Sequence, residues 1–222
     1  MSISVVCFDM YGTLLDLDAL RETVEQYTPM AEAFCAEWRK RQLQLTNVAN
    51  ANSRYLNFDR ITLMALHELA PRFRLRLTAA DQKRLVDAWA ALPAFPDVLS
   101  SFEIVRERWM PVVVLTNGVG STARNALEHA GVLDRVDTIL SADEVKVFKP
   151  SPAVYALVLR TGIKPENVLF LSANDWDASG ARQAGFRSIW VNRRRSVASS
   201  KHERTIGSLL EIGNILTEFS PL

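Results

Sequence analysis

Five short runs of apolar and β-branched residues punctuate the chain, at residues 3–8, 111–115, 136–140, 168–171 and 188–191. Their length and composition predict buried strands. Helical patterns separate the last four. Strands alternating with helices predict βαβ units and a mostly parallel sheet. The stretch between the first and second runs breaks this rhythm, being far longer than a usual crossover. It holds no strand-like run. Instead, residues 21–47, 58–73 and 79–91 carry apolar positions at helical spacing. Thr78-Ala79-Ala80-Asp81 has the spacing of a capping box, with Asp as the acid. The expected organisation is an α/β core formed by residues 1–16 and 94–222, with a helical subdomain, residues 17–93, inserted after the first strand. Pro93 and Pro96 mark the return to the core. Such an insertion would sit over the end of the first strand as a lid. A last helix is expected over residues 203–219.

Composition narrows the class. The 222 residues are 48% hydrophobic and 23% charged, as in an ordinary soluble globular protein. A net charge of +1 gives no global field that favours nucleic acid, so an acidic substrate must be caught by local charges. Arg193-Arg194-Arg195 reads as a solvated loop. Cys7 and Cys35 do not make a disulfide framework and are expected as reduced thiols. No apolar stretch approaches the roughly 20 residues of a membrane span, and no basic segment precedes the first apolar run. A cytoplasmic protein is expected, with no membrane and no nucleic-acid partner. His67, His129 and His202 stand neither beside a nucleophile nor at metal-ligand spacing. A histidine-dependent hydrolase is disfavoured, and a general base is expected to be a carboxylate or a lysine.

Four segments share one property: each follows an apolar run. Asp9 ends the first, ahead of a turn at Gly12. Thr116-Asn117-Gly118 ends the second. Lys149-Pro150 lies after the third, and Ser172-Ala173-Asn174-Asp175-Trp176-Asp177 follows the fourth. A carboxylate is costly to bury without partners, and the carboxyl ends of strands in open α/β sheets are where ligands bind. In a parallel sheet these segments fall along one edge. Together they supply a nucleophilic carboxylate, a cationic partner and hydrogen-bond donors.

Asp9-Met10-Tyr11-Gly12-Thr13-Leu14, Thr116-Asn117-Gly118, Lys149-Pro150 and the cluster from Ser172 to Asp177 resemble, in order, the four motifs of the haloacid dehalogenase superfamily. The resemblance spans nearly the whole chain. It implies a Rossmann-like core with a mostly parallel sheet of five or more strands, an inserted helical cap and a nucleophilic aspartate. Most members are magnesium-dependent phosphatases, with a second Asp two residues after the nucleophile and a metal-binding acid in the fourth motif. Here those positions are Tyr11 and Ala173, which argues against phosphoryl transfer. Asp175 is an extra carboxylate close by. The departures match the L-2-haloacid dehalogenase branch. Ser172, Asn174, Trp176 and Asp177 fit its fourth motif, and Trp38-Arg39-Lys40-Arg41-Gln42-Leu43 resembles its cap motif. Gln44-Leu45 replaces the usual Glu-Tyr, Thr116 replaces serine, and Lys40 stands where a neutral polar residue is common.

The resemblance implies a metal-free, cofactor-free hydrolysis of a small 2-haloacid. Asp9 would attack C2, forming an ester that water then cleaves, so that an L-haloacid becomes a D-hydroxy acid. Lys149 would keep Asp9 ionised, and Arg39 would take the departing halide. Thr116 and Asn117 are candidate donors to the substrate carboxylate. Ser172, Asn174 and Asp177 would hold Lys149 and place the water, with Asp177 the first candidate for the base. Thr13 would bond Asp9, and Tyr155 would order the lysine or the substrate. Tyr11, Leu43, Phe58 and Trp176 would wall in the alkyl group and halogen. The same residues would serve opening of a strained ring beside a carboxylate. A homodimer is implied by the resemblance alone.

Overall fold

The computed structural model describes residues 2–219. Six strands form one parallel sheet in the order β3-β2-β1-β4-β5-β6. They are β1 (Val5–Phe8), β2 (Val112–Thr116), β3 (Thr138–Ser141), β4 (Val168–Ser172), β5 (Arg187–Val191) and β6 (Thr205–Ile206). The five apolar runs correspond to β1–β5. β1, β2 and β4 are buried along their whole length, because a parallel sheet covered on both faces leaves no position for alternation. β1 lies between β2 and β4, in register Cys7 to Val113 and Cys7 to Phe170. The chain therefore leaves β1 at the point where strand order reverses, and a crevice opens beyond the strand ends there. Asp9 occupies that point, its N–H donating to the Leu171 carbonyl at 2.9 Å.

The long stretch after β1 is helical. It comprises α1 (Leu20–Val24), α2 (Ala31–Ala51), α3 (Phe58–Leu69) and α4 (Ala79–Asp87). Helical spacing suggested one helix over 21–47, but the structure divides it. Pro29 lies in the break, where it has no N–H to give and disfavours helical backbone at Thr28. Asn57 caps α3 by accepting from Arg60 N–H, and Thr78 and Asp81 make the expected capping box of α4. Phe34, Trp38, Phe73 and Trp89 pack ring to ring among these helices, and Trp89 carries the packing on to Tyr11 beyond β1. Polar ties join these helices to the segments after β3 and to the helix after β2. The Asn50 side chain both donates to Phe148 O and accepts from Phe148 N, each at 2.9 Å. Tyr55 donates to Asp143, and Thr122 to Asp59, each at 2.8 Å.

The helices α5 (Val98–Arg106), α6 (Gly120–His129), α7 (Pro152–Tyr155) and α8 (Asp175–Gln183) lie between strands, and α9 (Ile212–Glu218) follows the last. Two expectations are corrected here. The last helix is much shorter than 203–219. Residues 205 and 206 extend the sheet as β6, and Ser208 caps a following turn by accepting from Leu210 N–H. The basic run is also not all solvated. Arg193 is part-buried, donates twice to the Thr13 carbonyl and pairs with Asp97 at 2.9 Å, so it braces the turn after β1. Arg194 pairs with Asp18 on the surface.

Gly180 marks a tight approach. A Cβ there would stand 2.5 Å from the Tyr155 hydroxyl and 2.8 Å from Pro150 Cβ. Gly180→Ala is therefore expected to lower stability by about 1–3 kcal/mol, read as an earlier urea midpoint, since overpacking of a buried contact forces neighbours to move.

Candidate active site

A single ammonium organises the strand ends. Lys149 is 1% exposed, and its Nζ donates to Asp9 Oδ1 and to Asp177 Oδ2, each at 2.9 Å. Burial works against its charge, but Asp177 and Asp9 outweigh that cost and raise its pKa above the ordinary lysine value of 10.5. Asp9 Oδ2 accepts from Thr13 Oγ1 and Asn174 Nδ2, each at 2.8 Å. Thr13 Oγ1 itself accepts from Ala173 N–H at 2.8 Å, which turns its one hydrogen toward Asp9. Asn174 stands at the N-cap of α8 but makes no side-chain cap, so its amide reaches Asp9 instead. Both Asp9 oxygens thus accept from donors rigidly held by strand ends and one helix start.

Asp177 lies in the first turn of α8, where the helix dipole favours an acid. Its Oδ1 accepts from Tyr155 at 2.7 Å, and its Oδ2 from Ser172 at 2.9 Å as well as from Lys149. The residue is fully buried. This geometry fits the expectation that Asp177 holds Lys149. It does not fit the expectation that Asp177 takes a proton from water, because its oxygens are occupied and out of solvent. Tyr155 orders the lysine through Asp177. Burial, reinforced by Asp177, raises the pKa of its phenol and keeps it a donor.

Other sequence candidates fall around this cluster. Asn117 Oδ1 accepts from the Lys149 backbone N–H at 2.9 Å, and Thr116 Oγ1 accepts from Gly118 N–H at 3.0 Å. Neither the Thr116 hydroxyl nor the Asn117 amide nitrogen donates to another described residue. The expected apolar wall is divided. Tyr11 stacks on Phe58 with ring centroids 6.0 Å apart, beside a cavity of about 180 Å³. Leu43 and Trp176 line a different cavity, of about 400 Å³, with Arg39, Lys40 and Gln44. A third space of about 680 Å³ is bordered by Arg39, Leu43, Trp89, Ala173 and Asn174, which ties the Arg39 side of the helices to the residue holding Asp9.

Arg39, on α2, is partly buried. Burial draws its pKa down, and Asp9 is the leading charge acting the other way. Among the described residues no carboxylate lies within ion-pair distance of it. Its Nη1 donates to Gln42 Oε1 at 2.7 Å, and its guanidinium lies 6.0 Å from the Trp89 ring centre. The Trp89 indole N–H, on the same cavity, is buried without a partner among the described residues. The extra carboxylate, Asp175, is turned to other use. It accepts from Ser199 and Ser200 and pairs with His202, contacts that outweigh the cost of burial and hold its pKa at about 2. No three His, Cys, Asp or Glu among the described residues are grouped as a metal ion requires.

The profile of the haloacid dehalogenase-like hydrolases matches residues 3–185. The chain belongs to that family, within its L-2-haloacid dehalogenase branch. An (S)-2-haloacid dehalogenase of Pseudomonas sp. strain YL is 34% identical over 197 residues, covering 88% of this chain and 85% of its own. The (S)-2-haloacid dehalogenase 2 of Pseudomonas sp. strain CBS-3 is 33% identical, with 95% and 94% covered. Among solved structures, an L-2-haloacid dehalogenase superposes with a TM-score of 0.94 at 31% identity, covering 98% of this chain and all of the other.

Sequence reasoning overlooked three residues that shape this site. Asn50 pins α2 to the backbone just before Lys149, Arg193 braces the Thr13 carbonyl, and Gln42 holds Arg39. Asn50 carried only the signal of a polar residue on a helix, and Gln42 lay within the segment resembling the cap motif, where nothing local gave it a role of its own. Arg193 was hidden in a basic run.

Two outcomes are expected. Tyr155→Phe strips a buried carboxylate oxygen of a donor, and a loss of about 1–3 kcal/mol is expected in urea unfolding. Because the Lys149 pKa is raised, its contribution to stability is complete below the ordinary lysine range and is lost only as pH climbs past the raised value. In pH profiles of kcat/KM, loss of the Lys149 proton is accordingly expected to produce no alkaline fall below about pH 10.

Proposed function

We propose that this hydrolase converts L-2-haloalkanoic acids to D-2-hydroxy acids through an ester on Asp9, without a metal. The observation that carries the reading is a pairing of opposites. A buried carboxylate, held by Lys149, Thr13 and Asn174, stands near a cavity whose wall carries a guanidinium that no carboxylate of the described residues pairs with. The first is suited to attack carbon, the second to receive an anion.

In the first half-reaction an Asp9 oxygen forms a bond to C2 of the substrate while the carbon–halogen bond breaks. The halide leaves with the bonding electrons toward Arg39, and C2 inverts. The Thr116 hydroxyl and the Asn117 amide nitrogen, which donate to no other described residue, are the donors offered to the substrate carboxylate. In the second half-reaction water adds to the carboxyl carbon of Asp9. With Oδ2 as the attacking oxygen, Lys149 still faces Oδ1, on which charge now develops, and a preformed donor of this kind is a strong stabiliser of such an oxyanion, while Thr13 and Asn174 stay on the ester oxygen. Collapse restores the Asp9 carboxylate, and the hydroxy acid leaves with one proton from water while the other goes to solvent. Lys149 remains charged throughout, which suits a cation that both orients the nucleophile and stabilises the oxyanion. Helices α1–α4 serve as the cap, bringing Arg39, Leu43 and Phe58 to the strand ends.

The test is halide release from the two enantiomers of 2-chloropropionate, with and without EDTA. Release from the L form alone, unchanged by EDTA, is expected; release only with added magnesium, or from neither form, overturns the reading. Asp9→Asn is expected to lower turnover by about a thousandfold or more with folding retained. Single turnover in water labelled in its oxygen should place the label in Asp9; label appearing directly in the product would mean water attacks C2 itself.

A further inference from the structure

We propose that Gln42 is a positioning residue for the leaving group: its amide carbonyl fixes Arg39 while leaving the guanidinium charge uncancelled for the halide. The inference rests on the role given above to Arg39.

Gln42 follows Arg39 by three residues on α2, one turn along the same face. It is fully buried, so its amide must find partners inside the protein. It has two. Oε1 accepts from Arg39 Nη1 at 2.7 Å, and Nε2 donates to Thr62 Oγ1 at 2.6 Å. Thr62, on α3, donates to the Phe58 carbonyl at 2.8 Å.

The direction of this chain is determined. A threonine hydroxyl has one hydrogen, and here Phe58 O takes it. Thr62 Oγ1 can then only accept, so the nitrogen end of the Gln42 amide must face it. The carbonyl end is left for Arg39, which has nothing but donors. A backbone carbonyl in the first turn of α3 thereby sets, through two side chains, where one guanidinium nitrogen sits. The indole of Trp38 donates to the Thr62 carbonyl at 2.9 Å and fastens the same two helices together.

The neutrality of Gln42 is what makes this useful. A glutamate would hold Arg39 as firmly, through a charge-assisted bond, but would spend the positive charge on an internal partner. An amide orients the guanidinium and leaves its field available to an anion. The other Arg39 nitrogens remain for the halide, in the cavity that Asn174 also borders.

The discriminating variant is Gln42→Glu, nearly isosteric and able to keep the bond to Arg39. Expected are a turnover of 2-chloropropionate reduced by about tenfold or more and a weakening of product inhibition by chloride and bromide by about tenfold, with KM changed by no more than about threefold. The loss should be smaller with the bromo than with the chloro substrate, because bromide needs less help to leave. A purely packing role predicts altered urea stability with halide inhibition unmoved. Thr62→Val, which removes the acceptor that orients the amide, should reproduce the pattern in part, and Thr62→Ser should restore it. This pair decides the matter if Gln42→Glu does not fold. Unchanged halide inhibition in Gln42→Glu, or in Thr62→Val, overturns the inference. Arg39→Met separates the two levels. If it turns over normally, the role of Arg39 is wrong; if it is inactive while Gln42→Glu is normal, only the role of Gln42 is wrong.

Discussion

A lysine ammonium held between two buried carboxylates is the constraint on which the site depends. Lys149 cannot be neutral between Asp9 and Asp177 without leaving two carboxylates facing each other out of water with no cation between them. The remaining contacts follow. Asp177 has one oxygen for Lys149 and Ser172 and another for Tyr155, so it is wholly used in fixing the ammonium. Asp9 gives one oxygen to Lys149 and presents the other to Thr13 and Asn174. The two carboxylates have the same chemistry and differ in surroundings: one is sealed in, and the other lies at the edge of the crevice.

The second charge of the site is handled in the opposite way. Arg39 comes from α2, outside the sheet, and its partner is a neutral amide. A guanidinium without a carboxylate is costly to bury, and the lowering of its pKa by burial expresses that cost. Such a group is stabilised when an anion arrives and released when the anion goes. The protein thus keeps the Asp9 carboxylate paired with a cation and, among the described residues, leaves Arg39 without a carboxylate. Arg39 sits on helices tied through Asn50, Tyr55 and Asp59 to the segments after β3 and to α6, so it is held without belonging to the sheet.

The departures from the wider superfamily gain a physical meaning in this setting. Tyr11, where phosphatases have a second acid, packs its ring between Phe58 and Trp89 and gives its carbonyl to Asn174. Placing a carboxylate there would require burying another charge in an aromatic cluster. Asp175, the nearby acid that kept a metal site conceivable, is consumed by Ser199, Ser200 and His202 and fastens the segment after β5 to the start of α8.

The sheet and the residues at its edge were readable in the chain because each depends on local pattern. Apolar runs bounded by polar turns mark β1–β5 to within two residues, and a parallel sheet forces their ends to one side. That brought Asp9, Thr116, Asn117, Lys149, Ser172, Asn174 and Asp177 to one edge from the sequence alone, while Thr13 was reached only through the family resemblance. What local pattern cannot encode is which atom answers which. The break at Pro29 and the strand Thr205–Ile206 depend on a short segment having somewhere to pack. The bracing by Arg193, the occupation of both Asp177 oxygens and the amide of Gln42 between Arg39 and Thr62 join residues far apart in the chain or on different helices. The sequence by itself determined the fold and the placement of Asp9 and Lys149 at one edge of the sheet, since periodicity and strand-end placement carry them. Only the tertiary structure decided how donors and acceptors are shared, because hydrogen-bond direction is settled by burial and by the one partner each buried atom can reach.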